Sequence, residues 1–595
     1  MFFRGKAICG VTGVSVLAAL SLLQANSGGD SIPLLTPAAA GPYQVDGNRI
    51  LDAKGRAYLI RGTELPALTL KDSDLAGNGK EFGAFSPSSL ISIRQRLNMN
   101  AVRLPVMPLE YQEDAAYRAR VAAVADSANR FELLVILAAD PSGHFSPESL
   151  ARFWTRCAGD FKGRPNVFFA VAPTPGMRER AEWSLWQSTM QPLVEAVRSA
   201  GARQPVLVAG LEGDGFDGLT PAQQIRDPNV IYEATPRYAT TRTDADRWRQ
   251  FGSLATRAPV LVNDLDPQLD RKSPECAAFP GDPGAATRMV QENLAYFDAH
   301  QVSWMLSSYR PGKMLTEYRY FNWSKLDDGW TCGESPSRSG IAMTLVAHLW
   351  SGDPHGLFAV NHVNGGLVLA RGGVATAYGP ILAEREATAL SGRPLPLVLA
   401  NVSVRVTDSR GIARLARLLY TGAGWSDVSF VVPVNAAVGP AEVAVVRSDG
   451  SISAGRVIIA DVAPGFFTAS FDARGAVAGE VTQREAGVGR VRTFATSECA
   501  AAQCRAVPIP LSEHVSTTVR LAASGLRNAG PHANVRVTVG GSVVPVLSFG
   551  PADDVGRDQV TIQLPLEFKG AGETDLMMTV NGALSNVARI HCGAL

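Results

Sequence analysis

The 595-residue chain has little cysteine, little histidine and almost no net charge. Its seven cysteines include no Cys-x-x-Cys pair and its eight histidines are scattered, so the sequence offers no zinc-type cluster. The formal net charge of +1 gives no electrostatic reason to expect a nucleic-acid partner. We therefore expect no metal, no other cofactor and no nucleic acid, and the length requires more than one domain.

The N-terminal residues have the pattern of an export signal. Met1 to Lys6 carries positive charge and precedes an apolar run from Ala7 to Leu23, so we predict a signal peptide over residues 1–25. An uncleaved anchor is the alternative, although the run is slightly short for a membrane span. Residues 26–42 then form a linker, and the mature chain is expected to be secreted or held at the cell surface.

Residues 43–354 alternate between apolar runs and segments of helical period. Eight runs have the composition of strands: Tyr58 to Leu65, Asn100 to Val106, Leu133 to Ala139, Val167 to Pro173, Pro205 to Gly210, Val230 to Pro236, Pro259 to Asp264 and Val302 to Ser308. Right-handed crossovers through the intervening helices would close these strands into a (β/α)8 TIM barrel. An open, doubly wound sheet is the alternative.

Two motifs resemble parts of the family 5 glycoside hydrolases, the cellulase-like barrels, and the first of them resembles the family's opening. The first is Gly47 to Arg56 with Leu59 to Gly62, and the second is Leu97 to Pro105. The second is similar to the family's second strand, with Arg103 at the position of its conserved arginine. The resemblance implies a barrel directed at a polysaccharide or oligosaccharide, with its site at the C-terminal ends of the strands.

Two other motifs depart from the family's pattern. The fourth strand of the family ends in Asn-Glu-Pro, where this chain has Pro-Thr174-Pro, and the position of the nucleophilic Glu holds Asp264. Retaining hydrolysis needs two carboxyl groups roughly 5 Å apart, one as nucleophile and one as acid and base. A threonine hydroxyl cannot replace the acid, and aspartate is one methylene shorter than glutamate. The resemblance therefore implies a degenerate site, although Asp264 equally fits a turn-capping aspartate.

Other polar and aromatic side chains fall near predicted strand ends, where the chemistry of a barrel takes place. The candidate substrate-binding residues are Arg103, Asp140, His144, Glu233, Tyr238 and Trp304. The turn that holds Asp140 and His144 also fits ordinary Asp-Pro turn chemistry. Glu233 points either into the barrel or towards the helices, because the sequence does not fix which face of its strand it occupies.

Beyond residue 355 the chain changes to short β runs separated by Gly and Pro turns, which marks a domain boundary. Four strand-like segments form an internal repeat: Val402 to Asp408, Val428 to Pro433, Val535 to Gly541 and Val560 to Pro565. The repeat predicts two tandem all-β sandwiches, over residues 355–463 and 464–595.

This half of the chain resembles the Solibacter-type C-terminal module, a pair of immunoglobulin-like lobes found on exported bacterial proteins. The most specific matching segment is Val462 to Thr468, and Phe430 to Pro433 and Asp558 to Pro565 also match. The resemblance implies an extracellular spacer or an attachment to the cell envelope, and it carries no catalytic site.

The cysteines left after removal of the signal peptide allow two disulfides in an oxidising compartment. Cys276 with Cys332 would join loops around the seventh and eighth barrel strands, and Cys499 with Cys504 would close a short loop. Cys157 and Cys592 have no obvious mates.

Three functions remain open from the sequence. The first is a secreted pseudo-glycosidase that binds carbohydrate without efficient cleavage. The second is an active glycosyl hydrolase with a relocated catalytic carboxylate, and the third is a purely structural protein of the cell surface. A fold does not fix a function, so the choice depends on which carboxylates meet in the barrel mouth.

Overall fold

The computed structural model describes residues 36–68, 83–140, 145–171, 183–211, 215–236, 241, 243–263, 265, 285–307, 309, 341–380, 382–390, 394–422, 427–469, 475–487, 489–500, 503–552 and 556–593. These residues fall into two compact units, which divide between Leu345 and Val346.

The first unit begins with a hairpin of β1 (Gln44–Asp46) and β2 (Arg49–Leu51). The N–H of Val45 donates to Asn229 Oδ1 over 2.9 Å, and Tyr43 packs into the apolar core of the unit. Asn229 directly precedes a barrel strand, so the hairpin lies against the end of the barrel where strands start, opposite to the end expected to carry the site.

Eight parallel strands follow: β3 (Arg61–Glu64), β4 (Ala101–Val106), β5 (Leu134–Ala139), β6 (Val167–Val171), β7 (Val206–Ala209), β8 (Val230–Ala234), β9 (Val260–Val262) and β10 (Ser303–Leu306). Each pairs with the next, and β10 pairs with β3. The sheet is therefore a closed barrel, which confirms the predicted (β/α)8 architecture and excludes the open sheet. Every observed strand lies inside its predicted run.

Helices separate the strands: α1 (Pro87–Ile91), which continues into a π-helical turn at Ser92–Arg96, α2 (Pro108–Glu113), α3 (Ala115–Arg130), α4 (Pro147–Phe161), α5 (Trp183–Ser199), α6 (Asp244–Arg247), α7 (Ser253–Ala255), α8 (Ala285–Ala299) and α9 (Ile341–Ser351). A 3-10 turn at Pro221–Gln223 and a π-helical turn at Trp248–Gly252 complete the described helical segments. Residues next to the start of α4 explain why the helix begins at Pro147. The Ser146 hydroxyl caps the helix by accepting the N–H of Ser149, and proline is favoured in the first turn.

The second unit contains two lobes. The strands of the first lobe are β11 (Phe358–Asn361), β12 (Val368–Ala370), β13 (Val374–Tyr378), β14 (Ala387–Thr388), β15 (Val402–Thr407), β16 (Ala413–Leu415), β17 (Arg417–Gly422), β18 (Asp427–Val431), β19 (Gly439–Arg447) and β20 (Ile452–Ala460). They form two sheets, ordered β11-β13-β18-β17-β14 and β12-β20-β19-β15-β16, around one apolar core.

The strands of the second lobe are β21 (Gly465–Phe466), β22 (Gly479–Glu485), β23 (Val491–Ala495), β24 (Ser497–Ala500), β25 (Gln503–Ala506), β26 (Ile509–Pro510), β27 (Val515–Ser524), β28 (Val535–Val539), β29 (Ser542–Val544), β30 (Val546–Pro551), β31 (Asp558–Gln563), β32 (Gly572–Val580), β33 (Ala583–Leu584) and β34 (Ala588–Gly593). A 3-10 turn lies at Leu566–Phe568. The main sheets of the second lobe, β23-β22-β27-β31-β30 and β26-β34-β32-β28-β29, enclose a second apolar core.

The internal repeat of the sequence is also a repeat of strand order. In one sheet of the first lobe, the neighbouring strands β11-β13-β18-β17 follow the same order along the chain as β22-β27-β31-β30 in the second lobe. The other sheets also correspond, because β12-β20-β19-β15-β16 in the first lobe has the same order as β26-β34-β32-β28-β29 in the second. A register shift occurs in the corresponding pair of each lobe, β17 with β18 and β30 with β31. The two lobes are thus two copies of one all-β arrangement.

Cys499 and Cys504 face each other across β24 and β25 and form a disulfide, and Cys157 and Cys592 are buried free thiols. Cys276 and Cys332 lie outside the described residues, so their disulfide remains a prediction.

Candidate functional site at the barrel mouth

Three charged side chains meet inside the barrel. Glu64 ends β3, Arg103 is paired with it in register on β4, and Glu233 lies near the carboxyl end of β8. Successive side chains of a strand point to opposite faces. Residues an even number of positions before them belong to the apolar core inside the barrel: Ile60, directly before β3, Ala101 in β4 and Ile231 in β8. All three charged residues therefore point inward, which settles the face occupied by Glu233.

Arg103 connects the two glutamates. Its Nη1 donates to Glu233 Oε2 over 2.7 Å, and its Nε lies 3.2 Å from Glu64 Oε2. Glu64 is on the adjacent strand, whereas β8 is four strands from β4 in the closed barrel and thus on the opposite wall. The guanidinium therefore bridges the interior of the barrel. We call Glu64, Arg103 and Glu233 the charged cluster.

Exposure differs across the charged cluster. Glu233 is 3% exposed and Arg103 is 8% exposed, but the side chain of Glu64 is 26% exposed. A buried carboxylate without a partner is strongly unfavourable, so the contact with Arg103 is what allows Glu233 to lie inside the barrel. The cluster runs from a buried carboxylate, through a buried guanidinium, to a carboxylate that reaches solvent.

Asp140 follows the end of β5 and belongs to the same inward series as Ala138 in the barrel core. Its N–H donates to the carbonyl of Val106 over 2.8 Å, and the residue is buried. This position is compatible with the predicted place of Asp140 at the mouth of the barrel.

Trp304 has an environment that does not fit its predicted role as a substrate-binding residue. The residue is fully buried and next to the inward-facing Met305, so its ring faces the helices. The ring lies 5.7 Å from the guanidinium of Arg61, which donates to Asp298 of α8. Burial lowers the pKa of Arg61 to about 10, against the raising effect of Asp298. These contacts give Trp304 a packing role between strand and helix.

Four candidate residues lie outside the described residues: Thr174, Asp264, His144 and Tyr238. Their assigned roles remain predictions from the sequence. Of the predicted site residues, the structure brings Arg103 and Glu233 into contact. It also adds Glu64, which the sequence analysis did not predict as a site residue.

Sequence reasoning missed Glu64. The residue lies two positions after the segment Leu59 to Gly62, which we interpreted as a family-like opening and not as a source of a carboxylate. Two signals were available, namely the end of a predicted strand and the even spacing from apolar Ile60. Neither signal identifies Arg103 as the contact, because that pairing depends on which strands become neighbours.

The described residues contain no group of three or more His, Cys, Asp or Glu side chains arranged to hold a metal ion. Within the same described ranges, no helix is both long and apolar enough for a membrane span.

Comparison with known proteins finds one family match, which lies in the barrel. Residues 51–248 match the sequence profile of Cellulase (glycosyl hydrolase family 5). The first part of the barrel therefore carries a family 5 domain match. This match includes Arg103, Thr174 and Glu233 but ends before β9, so it does not extend to Asp264. No curated protein matches the chain.

Solved structures similar to this chain include three β-glucan-cleaving enzymes. A β-glucanase from Saccharophagus degradans shares 18% identity and covers 50% of this chain and 93% of its own, with a TM-score of 0.38. The catalytic domain of an endoglucanase from Thermobifida fusca shares 17% identity over 52% of this chain and 98% of its own, with a TM-score of 0.38. A tri-modular endo-β-1,4-glucanase from Bacillus licheniformis, complexed with cellotetraose, shares 14% identity over 90% of this chain and 98% of its own, with a TM-score of 0.38.

Proposed function

We propose that the barrel binds a polysaccharide or oligosaccharide at the carboxyl ends of its strands and has lost two-glutamate retaining hydrolysis. The observation that carries the proposal is the charged cluster, in which the arginine at the family's conserved position contacts Glu64 and Glu233. A polar cluster inside a barrel mouth can orient sugar hydroxyls, because a few fixed polar groups determine the orientation of a bound ligand.

The loss of catalysis is supported by Thr174 and Asp264, which replace the acid and the nucleophile in the family-like pattern. The charged cluster does not supply an evident substitute for the acid. A carboxylate that accepts from a guanidinium has no proton to give while the ion pair persists, and general acid catalysis requires that proton.

A relocated active site is the second candidate, and one observation favours it. Because both carboxylates contact one guanidinium, the Oε2 atoms of Glu64 and Glu233 lie within about 8 Å of each other, so they are not farther apart than the roughly 5–9.5 Å that separates glycosidase carboxyl pairs. Such a pair could act if ligand binding displaced Arg103 from one carboxylate and let it take up a proton.

We further propose that the protein is exported and that its two all-β lobes are immunoglobulin-like modules that act as a spacer or attach the barrel to the cell envelope. The support is the leader-like N-terminus and the resemblance of Val462 to Thr468 and Asp558 to Pro565 to such modules. A protein with this export route should be recovered outside the cytoplasm with Cys276 and Cys332 joined, which peptide mapping without reductant would establish.

The proposed function is tested by measuring binding and turnover together on β-glucans, mannans and aryl glycosides. We expect saturable binding by at least one glycan and little turnover. Turnover abolished by Asp264→Ala would overturn the proposed loss of catalysis, and turnover that requires both Glu64 and Glu233 would establish the relocated site. Neither binding nor turnover across the panel would favour a structural surface protein.

A further inference from the structure

We propose that Glu64 is the side chain of the charged cluster that contacts the sugar, by accepting hydrogen bonds from sugar hydroxyls. Arg103 and Glu233 are then positioning residues that hold Glu64 in place. This inference rests on the proposed carbohydrate binding and assigns the contact to one residue of that site.

The gradient of exposure selects Glu64. A ligand can reach the side chain of Glu64, which is 26% exposed, whereas the side chain of Glu233 is only 4% exposed. The parity of β3 directs Glu64 into the barrel, and its place at the last residue of the strand puts it at the mouth.

Glu64 is held on both sides of its backbone. Its carbonyl accepts the N–H of Tyr309 over 2.8 Å, and the next residue, Leu65, donates its N–H to the carbonyl of Arg103 over 2.8 Å. The contact from Arg103 Nε to the carboxylate adds a restraint on the side chain. Binding groups that are fixed before the ligand arrives lose less conformational freedom on binding, so this arrangement favours recognition.

The chemistry of Glu64 suits a sugar. An ionised carboxylate is only an acceptor and offers about four lone-pair sites on its two oxygens, so Glu64 can accept a ligand hydroxyl without giving up its contact with Arg103. Hydrogen bonds to charged acceptors are stronger than those between neutral groups, which gives the contact a measurable share of the affinity.

The experiment measures the affinity of the full chain for cellotetraose and mannotetraose by calorimetry, with thermal unfolding as a check on folding. Relative to the wild type, Glu64→Ala should weaken binding at least tenfold and Glu64→Gln should weaken it less, because an acceptor oxygen remains. Glu64→Asp keeps the charge but withdraws it, so we expect a loss comparable to that of Glu64→Ala. Glu132→Gln is the matched control, since Glu132 also pairs with an arginine, Arg94, and is 55% exposed.

The positioning role of Glu233 has its own readout. Glu233→Gln keeps an acceptor for Arg103, so it should retain more affinity than Glu233→Ala in protein that is still folded. Equal loss in both variants would contradict positioning through Arg103.

The outcomes separate this inference from the function on which it rests. A wild type that binds neither tetraose nor any glycan of the wider panel removes the proposed function. A wild type that binds, with Glu64→Ala and Glu64→Asp binding equally well, retains the proposed function and overturns the assignment of Glu64.

Discussion

Two buried arginine–carboxylate contacts, one in each unit, show how similar pairs can serve different purposes. In the barrel, Arg103 donates to Glu233 over 2.7 Å. In the second lobe, Arg527 Nη2 lies 2.9 Å from Asp558 Oδ1, and the side chain of Asp558 is fully buried. Burial and ion pairing are common to both contacts, so neither property marks a functional site by itself.

The difference lies in what else each carboxylate contacts. Asp558 also accepts the backbone N–H groups of Leu526, over 2.7 Å, and of Arg527, over 3.3 Å. It therefore fixes a turn, and Arg527 continues the network to the carbonyl of Arg557. Glu233 instead leads through Arg103 to the partly exposed Glu64. The comparison teaches that a connection to solvent at the strand ends, rather than buried charge, distinguishes a candidate site.

The largest expected effect comes from removing the guanidinium in the barrel. Arg103→Met should leave Glu233 buried without its partner and destabilise the barrel unit by about 3–5 kcal/mol, with loss of sugar binding. Denaturant unfolding with a probe in the barrel measures the cost. The double variant Arg103→Met/Glu233→Gln should recover much of the stability but not the binding; if it recovers no stability, the cost does not arise from the unpaired charge.

The matched change in the second lobe is Asp558→Ala. We expect a loss of about 2–3 kcal/mol, because two backbone N–H groups lose their acceptor while the remaining arginine can still turn towards water. Calorimetric unfolding should show the loss in the second unit, and affinity for sugar should stay at the wild-type value. A fall in affinity would mean that the two contacts are not functionally separate.

The two lobes should also differ in their response to acid. Hydrogen bonds from Ala437, Arg410 and Ile412, in that order, with Arg414 adding to them, hold the pKa of Asp408 well below its usual range. A carboxyl with a lowered folded-state pKa stabilises the fold above its unfolded pKa of about 4 and loses that contribution as the pH falls further. Asp408→Asn should therefore flatten the decline of the urea midpoint between about pH 4 and pH 2.

Asp558 provides the opposite case for the same measurement. Burial raises its pKa, against the lowering effect of its hydrogen bonds and of Arg527. The part of its contribution that depends on protonation is then present at low pH and lost as the pH rises through the folded-state pKa, whereas its hydrogen bonds to Leu526 and Arg527 are a separate contribution. In Asp558→Asn, the urea midpoint should therefore still decline between about pH 4 and pH 2 as it does in the wild type. If Asp558→Asn flattened this decline as much as Asp408→Asn does, the proposed difference between the lobes would be wrong.

The smallest effect is expected at the other end of the barrel. Glu132→Gln removes a glutamate that lies 3.7 Å from Arg94 and is 55% exposed. Arg94 is buried, but the contact is long and water screens the half-exposed carboxylate, so we expect a change below about 1 kcal/mol in unfolding free energy and no change in sugar affinity. A larger effect on affinity would show that charge anywhere on the barrel, rather than the charged cluster, controls binding.

The sequence predicted most of the architecture because local patterns carry it. Apolar runs gave all eight barrel strands, and the repeated segments around Val402 and Val535 anticipated two lobes of the same strand order. These features follow from periodicity and turn residues within short windows, which a single sequence displays directly.

The site was less predictable because its contacts are distant in sequence. Glu233 was a candidate, but its inward direction depends on the parity of a strand whose exact start is not visible in the sequence. Trp304 was assigned to the site by its strand, although its parity relative to Met305 places it against the helices. Glu64 became apparent only when closure of the barrel brought β3, β4 and β8 around one arginine.

The most direct test of the account is a titration of the full chain with cellotetraose and mannotetraose, with reducing-sugar release followed in the same samples. The account predicts saturable binding of at least one tetraose, little release of reducing sugar, and binding that weakens at least tenfold in Glu64→Ala but not in Glu132→Gln. Rapid release that disappears in Asp264→Ala would contradict it.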